Sequence, residues 1–166
     1  AKSAGLAAAR AACEELKHAR QDLLQSISND AELAGQTADK TAADPAEVDF
    51  SVYRRHYLAQ QQAMDARIGP LRDKLRAALT AVSPSLARLA ALDSVLGQAL
   101  ESRERQLLTT VPVLLREHVS SAQRKPQQPA AIRQTIQRAL QAELELRLQP
   151  IEGMIEALDS EITSLR

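Results

Sequence analysis

Residues 3–29, SAGLAAARAACEELKHARQDLLQSISN, carry apolar side chains at alternating steps of three and four residues. This spacing puts them on one face of an α-helix, in the heptad pattern of helices that pack side by side. Alanine and cysteine keep the first half of the face narrow, which suits a close approach by another helix. The face comprises Leu6, Ala9, Cys13, Leu16, Arg20, Leu23 and Ile27.

The composition of the whole chain also favours helices. Hydrophobic residues make up 45% of the 166 residues but aromatic residues only 2%, so alanine and leucine dominate the apolar set. These residues, with glutamine, glutamate and arginine, are good helix formers. Residues that favour strands are scarce, which argues against a sizeable sheet. We therefore predict an all-α protein.

A second helical segment begins after Asp49, a candidate N-cap, and continues from Phe50 to Val82. Its apolar spacing passes through Gly69-Pro70 without a change of phase, which predicts a kink at the proline and no reversal of the chain. Ser83-Pro84 is the stronger break, because serine caps helix starts and proline suits the first helical position.

Two more segments follow the same spacing. The third is disturbed by ESRER at 101–105 and by Pro112, and the loop QRKPQQP at 123–129 separates it from the fourth. In the fourth, ELELRL at 143–148 alternates like a strand, but the flanking residues have helical spacing, so we predict helix there. The apolar positions of the third segment are Leu89, Leu92, Leu96, Leu100, Leu107, Val111, Leu114 and His118.

The periodicity is lost between residues 30 and 47, where small and polar residues surround Gly35 and Pro45. Such a segment buries too little apolar surface to offset its ordering entropy, which predicts a flexible linker. The expected organisation is an N-terminal amphipathic helix at 1–29, the linker at 30–47 and a helical core at 48–166. Together they form an elongated antiparallel bundle of about four long helices with proline kinks, and the first helix packs on the others or exchanges with another copy.

The stretch FSVYRRHYL, residues 50–58, contains every aromatic residue of the chain. Phe50, Tyr53 and Tyr57 share one helix face, whereas Arg54 and Arg55 point elsewhere. The expected arrangement is aromatic core packing with a solvated basic flank. A protein-partner surface is an alternative, because tyrosine and arginine are frequent anchors. Contact with nucleic acid has less support, because stacking needs exposed rings.

Arg20 and Arg103 interrupt otherwise apolar faces. One interpretation is local pairing with glutamates at helical spacing, which contributes little free energy. The other is a polar layer that sets register or partner choice. The candidate interaction residues are Tyr53, Arg54, Arg55, Tyr57 and Arg103.

The sequence offers little for catalysis. Glu15 and His18 have the spacing of a di-iron helix motif, but the second motif that such a site needs is absent. The five glycines form no phosphate-binding cluster, and Cys13, the single cysteine, is expected to be a packing residue. The net charge of zero argues against a dedicated duplex-DNA binder, and no stretch approaches a membrane-spanning length. We predict no enzymatic activity, no metal, no cofactor and a cytoplasmic location.

Three stretches resemble a proteobacterial family of uncharacterised proteins catalogued as a domain of unknown function. They are YRRHYLAQQQAMDARIGPLRDKLRAAL, SPSLARLAALDSVLGQALESRERQLLTTVPVLL and LQAELELRLQPIEGMIEAL. The resemblance covers most of residues 50–160, and the N-terminal helix matches less well. Members of that family are often encoded beside proteins resembling OmpA-type envelope proteins and coiled-coil membrane proteins, so the resemblance implies an accessory role in an envelope assembly.

These observations predict a helical scaffold or adaptor that binds a helical protein partner or itself through an apolar face. The alternative is a module that binds nucleic acid or an anionic ligand, which would show a steep salt dependence.

Overall fold

A computed structural model of the protein describes residues 2–29, 50–121 and 129–164. These residues form four helices: α1 (Lys2–Ser28), α2 (Phe50–Val82), α3 (Pro84–Ser121) and α4 (Pro129–Ser164). The described residues contain no strand, and ELELRL lies inside α4, so the prediction of an all-α fold is confirmed. None of these helices combines the length and the hydropathy needed to cross a bilayer. The predicted linker at 30–47 and the candidate cap Asp49 lie outside the described residues.

Consecutive helices run antiparallel. Lys74 of α2 lies 2.7 Å from Glu15 near the middle of α1, and Arg67, two turns earlier on α2, lies 2.7 Å from Asp22, further along α1. The same reversal joins α2 to α3 around Ser83. The result is an up-down-up-down four-helix bundle, which agrees with the predicted architecture.

The cross-section of the bundle is a rhombus rather than a square. α2 and α4 run in the same direction and touch each other through the centre, where Tyr57 meets Glu143. Further along the two helices, the exposed Asp65 of α2 pairs with Arg147 of α4 at the edge of this contact. α1 and α3 lie on opposite sides of this pair of helices, and each packs against both of its members. Most of the core therefore lies around α2 and α4.

The chain reverses at the stronger of the two predicted interruptions and continues without reversal through the other. α2 continues unbroken through Gly69-Pro70, and the chain reverses at Ser83. The Ser83 hydroxyl accepts a hydrogen bond from the Leu86 amide at 3.3 Å, which is an N-cap, and Pro84 is the first residue of α3. Pro112 and Pro150 also lie inside helices, in α3 and α4 respectively.

Small residues bring α1 close to α2. A Cβ atom on Gly5 would lie 2.9 Å from the carbonyl carbon of Ala81, so hydrogen is the only side chain that fits this approach. Ala12 and Ala19 follow at seven-residue intervals and are buried. The predicted narrow face on α1 is thus real, although Leu6 and Cys13 are only half-buried at its edge.

The predicted apolar face of α3 differs from the others, because most of it is exposed. Leu89 and Val111 pack against the core, whereas the five leucines between and beyond them do not. α3 instead directs Leu86, Ala90 and Asp93 inward. The exposed predicted positions are Leu92, Leu96, Leu100, Leu107 and Leu114, together with His118.

Candidate interaction surface

The five candidate residues do not form one site. Tyr53 and Tyr57 are each only 1% exposed, and the Phe50 ring lies 6.0 Å from the Tyr53 ring, so the aromatic residues form the core at the start of α2. Arg54 and Arg55 are exposed on the outer side of the same turns. Because the rings are buried, these arginines have no aromatic surface beside them for stacking.

A polar layer crosses the bundle directly below this aromatic core. The Glu143 carboxylate of α4 accepts hydrogen bonds from the Tyr57 hydroxyl at 2.8 Å and from the Gln61 amide at 2.9 Å. Arg147, one turn along α4, donates to the same carboxylate at 2.7 Å and also pairs with Asp65 of α2. Every member of the layer has a partner, which is the condition for burying such groups without a large loss of stability.

This layer changes the acid–base behaviour of two of its members. Burial, reinforced by the hydrogen bond to Glu143, raises the pKa of Tyr57 well above its ordinary value. Burial on its own would lower the pKa of Arg147, but its hydrogen bond and charge pairing with Glu143 outweigh that effect and raise it. Tyr57 therefore stays neutral and Arg147 stays charged at any physiological pH.

The sequence carries a signal for the positions of this layer. Gln61 occupies the helical step between Tyr57 and Met64, a position that the spacing assigns to the core. Glu143 directly precedes Leu144 on the buried face of α4. Polar residues at core positions of two helices indicate that each needs a hydrogen-bond partner within the core.

A second buried charge cluster links α2 to α3. Asp93 of α3 accepts hydrogen bonds from Arg72 at 2.9 Å and from Arg76 at 2.6 Å. Burial would raise the pKa of Asp93, but the hydrogen bonds from the two arginines outweigh it and hold the pKa below its ordinary value. Gly97, one turn further on α3, leaves room for the Arg76 guanidinium, which would lie 3.2 Å from a Cβ atom there.

Arg20 pairs with another helix instead of with its neighbours on α1. Its guanidinium lies 2.7 Å from Glu145 and 3.1 Å from Glu152, both on α4. The three side chains are partly exposed, so the contact fixes how α1 is placed on α4 and contributes little free energy.

α3 separates from the bundle in its middle. Glu101, Glu104 and Arg105 occupy the turns where α3 would otherwise direct apolar side chains at α2 and α4, and they remain exposed. A cleft of about 1090 Å³ opens between the three helices at this level. Ile68 lies at its α2 side, Leu146 at its α4 side, and Arg103 also lines it.

Beside this cleft runs a row of exposed apolar side chains, which we call the α3 stripe. Its members Leu100 and Leu107 are 55% and 59% exposed and also line the cleft. The row extends over about 33 Å of helix, at 1.5 Å per residue. The α3 stripe comprises Leu92, Val95, Leu96, Leu100, Leu107, Val113 and Leu114.

A metal centre and a reactive thiol are two kinds of chemical site that the described residues can be compared with. These residues contain no group of three histidine, cysteine or acidic side chains that could hold a metal ion. Burial, followed by the charge of Asp159, raises the pKa of the half-buried Cys13 thiol, which disfavours the reactive thiolate.

Comparison with known proteins adds a family assignment. No curated protein and no solved structure matches the chain. A family model matches residues 1–160, so α1 lies within the family's region together with the three other helices. Because this match spans almost the whole sequence, the chain belongs to the family described as "Protein of unknown function (DUF3348)".

Proposed function

We propose that this protein is a non-enzymatic helical scaffold that binds an amphipathic helix through the α3 stripe, the helix belonging to another protein or to a second copy. The distribution of exposed apolar side chains carries the proposal. Among the described residues, eight large hydrophobic side chains are exposed, and seven of them lie on α3. The eighth, Leu146, lies across the cleft from Leu100 and Leu107.

This distribution is unlike an ordinary protein surface. Single exposed leucines are common and need no explanation, whereas a continuous row indicates an interaction site. The row has the three- and four-residue spacing with which helices recognise one another, and polar Arg103 and Thr110 occupy two of its steps. A helix placed along it would cover Leu100, Leu107 and Leu146 together.

The charged residues around the row would supply selectivity. Glu101, Arg103, Glu104 and Arg105 lie at the level of the cleft and are exposed. Charges at the rim of an interface affect the rate of encounter and the choice of partner more than they affect affinity. A partner helix would therefore need a complementary charge pattern at this level.

The alternative function, binding of nucleic acid or another anion, has less support. Arg54 and Arg55 lie side by side on the surface, but Tyr53 and Tyr57 are turned into the core and the net charge of the chain is zero. A titration with single-stranded oligonucleotides would decide: binding that weakens steeply with salt and is lost on Arg54→Ala with Arg55→Ala would favour the alternative.

A role beside an envelope assembly and a cytoplasmic location belong to the same proposal, and the envelope role rests on the resemblance of residues 50–160. Fractionation of cells that express the tagged full-length protein tests both. Recovery with membranes only while a partner is present would support an envelope role.

In-cell photo-crosslinking tests the scaffold function. The crosslinking residue p-benzoylphenylalanine replaces Leu107, and in a control it replaces Arg10, which is exposed on α1. We expect a protein adduct from position 107, reduced by Leu96→Glu in the same chain, and none from position 10. Equal adducts from both positions, or no adduct from position 107, would contradict a scaffold that acts through α3.

A further inference from the structure

Six of the seven residues of the α3 stripe are arranged symmetrically about the point between Arg103 and Glu104. Leu100 and Leu107 are equally distant from this point. Val95 and Val113 match to within one residue, as do Leu92 and Leu114. All six are exposed. A contact between two identical copies related by a two-fold axis requires a self-complementary surface, and a symmetric row has this property.

Antiparallel pairing of two α3 helices would use this symmetry. In such a pair, each residue of one copy meets a residue of the other copy that lies equally far from the two-fold axis in sequence, on its opposite side. With the axis between residues 103 and 104, Leu100 meets Leu107 of the second copy, and Leu107 meets Leu100. Apolar side chains then face apolar side chains at the six paired positions, whereas Leu96 lies level with Val111, which packs against the core of its own bundle.

Arg103 lies within the row and Glu104 follows it on the side that faces the cleft, and their charges are complementary in the same arrangement. Arg103 and Glu104 are exposed, and neither has an ion pair or hydrogen bond with a described residue. In the antiparallel pair, Arg103 lies level with Glu104 of the second copy, and the reciprocal pair forms on the other side of the axis. In a parallel pair each Arg103 would instead face another Arg103, which is repulsive.

A second charge pair follows the same rule near the ends of the row. Arg88 lies two turns before Val95, and Glu117 lies one turn after Val113, on the same side of α3. Both are exposed and unpaired within the described part of the chain. Their distances from the axis differ by two residues, about 3 Å along the helix, which long side chains can span.

We propose that the α3 stripe binds the α3 stripe of a second copy in antiparallel orientation, with reciprocal contacts between Arg103 and Glu104 at the two-fold axis. This inference rests on the proposed function and specifies its partner. The chain has no net charge, so two copies approach without overall repulsion.

Charge reversal tests the pairing. Dissociation constants are measured by sedimentation equilibrium at low ionic strength, where exposed ion pairs are least screened. Arg103→Glu or Glu104→Arg alone places like charges together twice per dimer, and each is expected to weaken association about tenfold. The double variant restores opposite charges and is expected to return to within about threefold of the original constant.

Arg105→Glu is the matched control, because Arg105 lies in the same turn, faces away from the α3 stripe and pairs with Glu101 of its own helix. It is expected to leave the dissociation constant unchanged, and circular dichroism confirms that all variants fold. The antiparallel pairing would be overturned if the charge reversals left the dissociation constant unchanged, or if the double variant associated no more tightly than the single variants. Neither result would contradict the scaffold function. A chain that never associates would overturn the second copy as partner, whereas the crosslink from position 107 would still decide the scaffold function.

Discussion

The buried carboxylate of Glu143 depends on its hydrogen-bond donors, which come from three residues of two helices. Gln61 and Tyr57 of α2 fix its position, and Arg147 supplies the compensating charge. A buried ion pair of this kind adds little net stability compared with apolar residues of the same shape, but it is costly to break. The layer consequently favours the register in which α2 and α4 bring these side chains level.

Glu143→Gln should therefore destabilise the protein by about 3 kcal/mol, because it leaves Arg147 buried without its main counter-charge. Urea unfolding measured by circular dichroism checks the value. Glu145→Gln is the control on the same helix: it loses a partly exposed pair with Arg20 and should cost less than about 1 kcal/mol. Equal losses in the two variants would show that the buried layer has no special role.

Asp93 should make the stability of the protein depend on acid pH. Its pKa in the folded protein lies below the ordinary value of 3.8, so its stabilising contribution is complete above that pH and is lost as the pH falls through the folded value. Asp93→Asn should be less stable than the original chain at pH 7, and the difference should shrink below pH 3.8. Unfolding free energies measured in urea at falling pH check this. A difference that stays constant down to about pH 2 would contradict the role of Asp93.

At the scale of the helices, the contact between α1 and α2 depends on a missing side chain at Gly5. Gly5→Ala should destabilise the protein by about 1–2 kcal/mol, since the added methyl group meets the backbone of Ala81. Gly153→Ala is the control, because nothing lies within 4 Å of a Cβ atom there. It should stabilise the protein by about 0.5–1 kcal/mol through its better helix propensity. Thermal unfolding measures both, and a stabilising Gly5→Ala would refute the close approach.

Much of each helix could be predicted from the sequence, because local spacing decides it. The cap at Ser83, the uninterrupted passage through Pro70 and the buried faces of α2 and α4 all follow from residues within one or two turns of each other. The polar layer was missed because its partners, Gln61 and Glu143, are 82 residues apart. Spacing within one helix shows that a position faces the core but does not show what it meets.

α3 shows a second limit of such predictions. Its leucines have the same spacing as those of α4, and the sequence alone does not tell an inward face from an outward one. The polar residues at 101–105 interrupt the predicted apolar face, and Glu101, Glu104 and Arg105 among them lie where the core-facing side of α3 would continue. The more regular row of apolar residues on α3 therefore lies on the outer side of the helix.

At the scale of the whole molecule, three helices of the bundle bury their apolar faces, and the fourth, α3, leaves an apolar face exposed. α1, α2 and α4 bury nearly all of their large apolar side chains, with Leu146 as the exposed exception among the described residues. α3 closes the core at its two ends and separates from it in the middle. A face of this kind is expected to be covered in the assembled state, and its symmetry favours a second copy.

The mass of the protein in solution tests this account most directly. Light scattering after size exclusion, across a range of concentrations, compares the original chain with the variant Leu100→Glu, Leu107→Glu, which changes only exposed positions. We predict a species of twice the 18.1 kDa chain mass for the original chain and 18.1 kDa for the variant. A monomer of 18.1 kDa at every concentration of the original chain, or a dimer that survives in the variant, would contradict association through α3.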